Sequence, residues 1–96
     1  TFQVDGDNIV CEVAVMPWEA VLGSQARVPT LEGAVEMRIP AGSGSGRKLR
    51  LRGKGLGPAS SRGDEIVRVA VRVPDPATLT PRQKELWEEL ARESNA

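Results

Sequence analysis

Histidine is absent, cysteine occurs once, at Cys11, and the aromatic set stops at Phe2, Trp18 and Trp87. Without histidine the commonest general base is missing, and so are the imidazole ligands of a zinc site. A single thiol allows neither an intrachain disulfide nor a thiolate cluster. No metal or other cofactor is therefore expected. With so few aromatics the core must be aliphatic and mostly β-branched, since valine dominates the apolar residues. Net charge is lacking too: 13 basic and 13 acidic side chains cancel, which removes any global field that would draw in nucleic acid or an anionic membrane. No apolar run approaches the roughly 18 residues of a membrane span, and no signal-peptide pattern is present. No membrane partner is expected, and the cytoplasm is the expected compartment.

A chain of 96 residues fits one domain, which at that size buries roughly 60 to 65% of its unfolded surface. Because Thr1 opens within strand-leading sequence, a domain cut from a longer protein is expected. Asp5-Gly6-Asp7-Asn8 is a turn signal, after which Ile9, Cys11, Val13 and Val15 alternate as the inward face of a strand. Pro17 to Leu22 fits a short helix, opened by proline and stopped by Gly23. Further strands are expected through Ala26 and Val28, through Val35, Met37 and Ile39, through Leu49 and Leu51, and from Glu65 to Val73 with Val67, Val69, Val71 and Val73 on one face. The fold class is mainly β: a small two-layer β-sandwich of about five to six short strands, with one short helix after the first strand. Pro74-Asp75-Pro76-Ala77 is a stiff spacer, and Thr80-Pro81-Arg82-Gln83 caps an amphipathic C-terminal helix to about Arg92. Its stripe is Leu86, Trp87, Leu90 and Ala91, with Lys84, Glu88 and Arg92 spaced for ion pairs. The expected division is residues 1–76 for the sandwich and 77–96 for the helix.

Nothing in this pattern assembles a catalytic set, and no enzyme is expected. Cys11 lies on the inward parity of its strand and reads as an inert core thiol. Asp64 and Glu65 point to opposite faces of a strand and cannot form a dyad. The loop Gly42-Ser43-Gly44-Ser45-Gly46 invites a phosphate-cradle reading, but it leads to a strand rather than a helix N-terminus and reads better as a turn. Arg47, Lys48, Arg50, Arg52, Lys54 and Arg62 form a basic stripe unrelieved by any acid. It is read first as a solvated strand face, with anionic partners, nucleic acid or acidic protein segments, as the functional readings. Trp18 has two readings, as a core plug or, with Met16 and Val21, as a patch that holds unfolded peptide. Leu86, Trp87 and Leu90 either pack back on the sheet or meet a second chain, and the stiff spacer favours the second chain.

In order along the chain, Asp5-Gly6-Asp7-Asn8-Ile9, Pro17-Trp18-Glu19-Ala20-Val21-Leu22-Gly23 and Val28-Pro29-Thr30-Leu31-Glu32-Gly33 resemble the second C-terminal β-domain of DnaJ-family co-chaperones. Ile39-Pro40-Ala41-Gly42, the run Gly46 to Leu56, Gly63-Asp64 and Leu79-Thr80-Pro81 extend the resemblance over nearly the whole chain. Trp18 within Pro17-Trp18-Glu19 looks most like the curved-DNA-binding co-chaperone branch. The resemblance implies a sandwich that holds unfolded polypeptide clients for a DnaK-type chaperone, which the parent protein engages, and a C-terminal helix that makes a homodimer. On the residue readings above, client contact is expected at Met16, Trp18 and Val21 and dimer contact at Leu86, Trp87 and Leu90, and the curved-DNA-binding branch adds DNA to the partners open to the parent. The chain has no His-Pro-Asp triplet and no Cys-x-x-Cys-x-Gly-x-Gly repeat, so neither ATPase stimulation nor zinc binding is expected of it.

Overall fold

A computed structural model describes residues 2–94. Thr1, Asn95 and Ala96, which the expected boundaries include, lie outside the described residues. The order is β1 (Gln3–Asp5), β2 (Asn8–Val15), α1 (Pro17–Leu22), β3 (Ser24–Thr30), β4 (Gly33–Ile39), β5 (Lys48–Leu51), β6 (Glu65–Val71) and α2 (Pro81–Ser94), with 3-10 turns at Ala59–Ser61 and Pro76–Thr78. Four strands form one sheet in the order β1-β2-β6-β5, and β3 pairs with β4 in a second. β2 and β6 run parallel, with Cys11 opposite Val67 and Val15 opposite Val71.

Period-two alternation decides which face is buried. Ile9, Cys11 and Val15 of β2 and Val67 and Val69 of β6 are buried, as are Val28 and Ile39 of the second sheet. Val15, Ala20, Ile39 and Val69 make one cluster and Cys11, Val28 and Val67 another, so both sheets share the core. This is a mainly β two-layer sandwich of six strands with a C-terminal helix. β1, entirely exposed, is the strand beyond the five placed by alternation. It closes a hairpin over Gly6 and Asp7, with Asp5 opposite Asn8, and Gly6 takes a φ of 62° that a β-carbon would disfavour.

Three local expectations are corrected. Val73 lies outside β6 and is 86% exposed; the Arg72 amide donates the last bond to Val15 O, beyond which β2 offers no partner and Pro74 has no N–H. Arg52 falls in the turn after β5, off the strand face. Along α2, Arg82 pairs with Glu85 at 3.2 Å, whereas no pair forms among Lys84, Glu88 and Arg92. Exposed helix pairs are worth only about 0.3–0.5 kcal/mol, too little to impose one geometry.

Candidate functional site

α2 begins as its sequence dictates. The Gln83 amide donates to Thr80 Oγ1 at 3.1 Å and the Thr80 amide to Gln83 Oε1 at 2.8 Å, a reciprocal capping box. No residue of α2 is buried. The radius of gyration is 16.8 Å, against about 12–13 Å for a compact chain of this length. The long axis of 53 Å reflects a helix that stands clear of the sandwich.

One aromatic contact joins that helix to the body. Trp18 of α1 and Trp87 of α2 have ring centroids 6.0 Å apart and planes tilted by 52°, a favoured aromatic geometry. Between them opens a cavity of about 320 Å³ lined by Trp18, Leu79, Gln83, Leu86, Trp87 and Leu90. Trp18 is 45% exposed, Leu86 47% and Leu90 56%. The core-plug reading of Trp18 is thus overturned: Ala20, not Trp18, is the α1 residue buried in the core. Val21 is exposed beside it and Met16 is half-buried at the helix start. Residues expected at two separate sites, Trp18 for client and Leu86, Trp87 and Leu90 for dimer, line one cavity. Leu79 and Gln83 are lining residues that sequence reasoning missed; for Gln83 the available signal was its spacing of three before Leu86 and seven before Leu90 on one helix face, whereas Leu79 precedes α2 and periodicity gives no signal for it.

The glycine-rich loop spends its amides on the fold. Gly42 and Ser43 donate to Val21 O and Ala20 O at the end of α1, Gly46 to Val69 O and Arg47 to Gly44 O. This supports the turn reading over a phosphate cradle.

The basic stripe is divided. Arg50 pairs with Asp64 at 2.7 Å and Arg62 with Glu32 at 2.9 Å. Arg47 and Arg52 lie in turns, Lys48 is exposed on β5 and Lys54 is half-buried. Asp64 is the hub of this end: its carboxylate accepts from the Gly53 amide at 2.8 Å and from Arg50, and its own amide donates to Asn8 Oδ1 at 2.8 Å. The Gly53 amide first, then Arg50, hold its carboxyl below the usual carboxylate range. In the core, the Cys11 thiol donates to Glu65 Oε2 at 3.1 Å, while Glu65 Oε1 has no partner among the described residues. Burial, then the bond to Glu65, push the thiol up to about 12. It is an unreactive thiol at neutral pH.

A two-sheet β body carrying a protruding amphipathic helix, with an open apolar cavity where the two meet, defines a small sandwich module. Residues 1–74 match the DnaJ C terminal domain model, and the chain belongs to that family. It is 46% identical over 91 residues to a DnaJ-like protein of Synechocystis, covering 93% of this chain and 26% of that protein. It is 41% identical over 90 residues to the Curved DNA-binding protein of Coxiella burnetii (94% and 28%) and 43% identical over 90 residues to the Chaperone protein DnaJ of Bacillus velezensis (94% and 24%). The chain thus spans about a quarter of these relatives' length.

Proposed function

We propose that this domain is the client-holding and dimerising module of a DnaJ-type co-chaperone, whose parent passes unfolded polypeptide to a DnaK-type chaperone. Residues 1–76 make the holding body and 77–96 the dimer helix. The observation that supports this is the half-open cavity between α1 and α2, with Leu86 and Leu90 about half exposed. A helix of 14 residues is marginal alone in water, and burying its stripe against a second copy supplies what the sandwich does not. Met16, Trp18 and Val21 continue the apolar surface toward a client, and a dimer presents two such patches to one chain. The mechanism is holding, with no covalent chemistry.

The test is solution mass for this chain and for a version ending at Pro76. A dimer that becomes a monomer on truncation supports the reading; monomers in both cases at concentrations on the order of tens of micromolar sink the dimer role. Slowed aggregation of a denatured client, lost in Trp18→Ala, is expected of the holding role.

A second reading is DNA binding, favoured by the name of the Coxiella relatives. It predicts duplex affinity that falls steeply with salt and disappears on reversing the charges of Arg47, Lys48, Arg50, Arg52, Lys54 and Arg62.

A further inference from the structure

The outer face of the four-stranded sheet carries a groove of about 540 Å³, separate from the α1–α2 cavity and sharing no lining residue with it. Register builds it. Across the sheet Gln3, Val10, Ile66 and Arg50 stand in one row, and Glu12, Arg68 and Lys48 in the next. Val10 and Ile66 are only half-buried and make an aliphatic floor, while Lys48, Arg50 and Arg68 line one side and Asp5 the other.

Charge on this face is out of balance locally. Lys48 and Arg68 are directly opposite on antiparallel strands, an arrangement that like-charge repulsion disfavours. Arg50 is held by Asp64 at 2.7 Å and Glu12 is shared by Arg68 at 3.3 Å and Arg72 at 3.7 Å, which leaves Lys48 as the lining cation with no ion pair among the described residues. Exposed bridges of this kind are worth roughly 0–1 kcal/mol, so an incoming carboxylate displaces or joins Glu12 at little cost. We propose that this groove docks an acidic peptide segment of another protein, with an aliphatic side chain seated on Val10 and Ile66 and flanking carboxylates on Lys48 and on Arg68, whose present partner is the shared, exposed Glu12. Nucleic acid fits less well. The floor is aliphatic and suits a side chain rather than a phosphate backbone, and the lining has no aromatic to stack a base.

Fluorescence anisotropy of the full chain tests this with three probes: a short glutamate-rich peptide with one central leucine, the same peptide with lysine for glutamate, and a duplex DNA. The acidic peptide is expected to bind, the lysine peptide not. Lys48→Glu should weaken binding about tenfold or more without lowering the melting temperature, since it relieves the Lys48–Arg68 repulsion. Ile66→Ser should weaken the leucine-bearing peptide more than one with serine in its place. Equal binding of both charge types, indifference to Lys48→Glu, or tighter binding of duplex DNA with the same sensitivity to Lys48→Glu would each overturn the assignment. Because Trp18 and the α2 stripe lie elsewhere, a Leu86→Glu variant that loses dimerisation but keeps peptide binding separates this inference from the proposed dimer.

Discussion

Asp64 draws together three turns distant in sequence. Gly53 reaches its carboxylate, Asn8 accepts from its amide, and its carbonyl receives the Ile9 amide at 3.0 Å. Gly63 and Gly55 are packed so tightly around the Asp7 carbonyl that a β-carbon would lie 2.1 and 2.5 Å from that oxygen. Gly63→Ala is therefore expected to be severely destabilising, read as loss of the cooperative melting transition. Since the Asp64 carboxyl is depressed in the fold, its contribution is present above the ordinary pKa of about 3.9 and is lost as pH falls through the lower folded value. The melting temperature of wild type should drop more steeply below pH ~4 than that of Asp64→Asn; equal slopes would remove Asp64 as a source of acid sensitivity. Cys11 works in the opposite sense. Its folded pKa of about 12 lies above the ordinary thiol value of 9.0, so its contribution is complete below pH ~9 and declines as pH rises toward 12, by at most about 1.4 kcal/mol per pH unit. Cys11→Val should flatten the alkaline limb of stability, and the native thiol should resist alkylation at pH ~8 until the protein is denatured.

At the scale of elements, legibility followed the strength of the local signal. Val67, Val69, Cys11 and Val28 declared their faces by alternation, and Thr80 and Gln83 declared the start of α2. β1 escaped because its three exposed residues bury nothing that alternation can detect. The shared cavity escaped for a different reason: Trp18 and Trp87 are far apart in the chain, and only the path of the spacer sets one ring against the other. Val10 and Ile66 were legible in principle as apolar residues on the outward parity, a departure from the polar-out pattern of a solvated sheet. Capping gives the test that belongs here. Thr80→Ala removes the acceptor for the Gln83 amide and should cost about 1 kcal/mol of helix stability. Because nothing on α2 is buried within the chain, that loss should appear as reduced helicity by circular dichroism with the sandwich's own melting nearly unchanged. A large shift in sandwich melting would mean that α2 is packed more firmly than its exposure indicates.

For the whole molecule, the decisive quantity is how two weak surfaces act when joined. A long unfolded client that meets both apolar patches of a dimer gains effective concentration, whereas a short peptide with one apolar site gains none. Leu86→Glu and Leu90→Glu change residues that are about half exposed in the single chain, so they should break the proposed dimer while leaving the sandwich folded. Their effect on holding should then depend on client length. A short apolar peptide is expected to bind wild type and the double variant within about twofold, while a full-length denatured client should be held on the order of tenfold or more tightly by wild type, within the usual gain from avidity. Equal loss for both clients would place Leu86 and Leu90 in the client contact itself, since Trp18 borders the same cavity. No loss for either would leave the dimer without a part in holding.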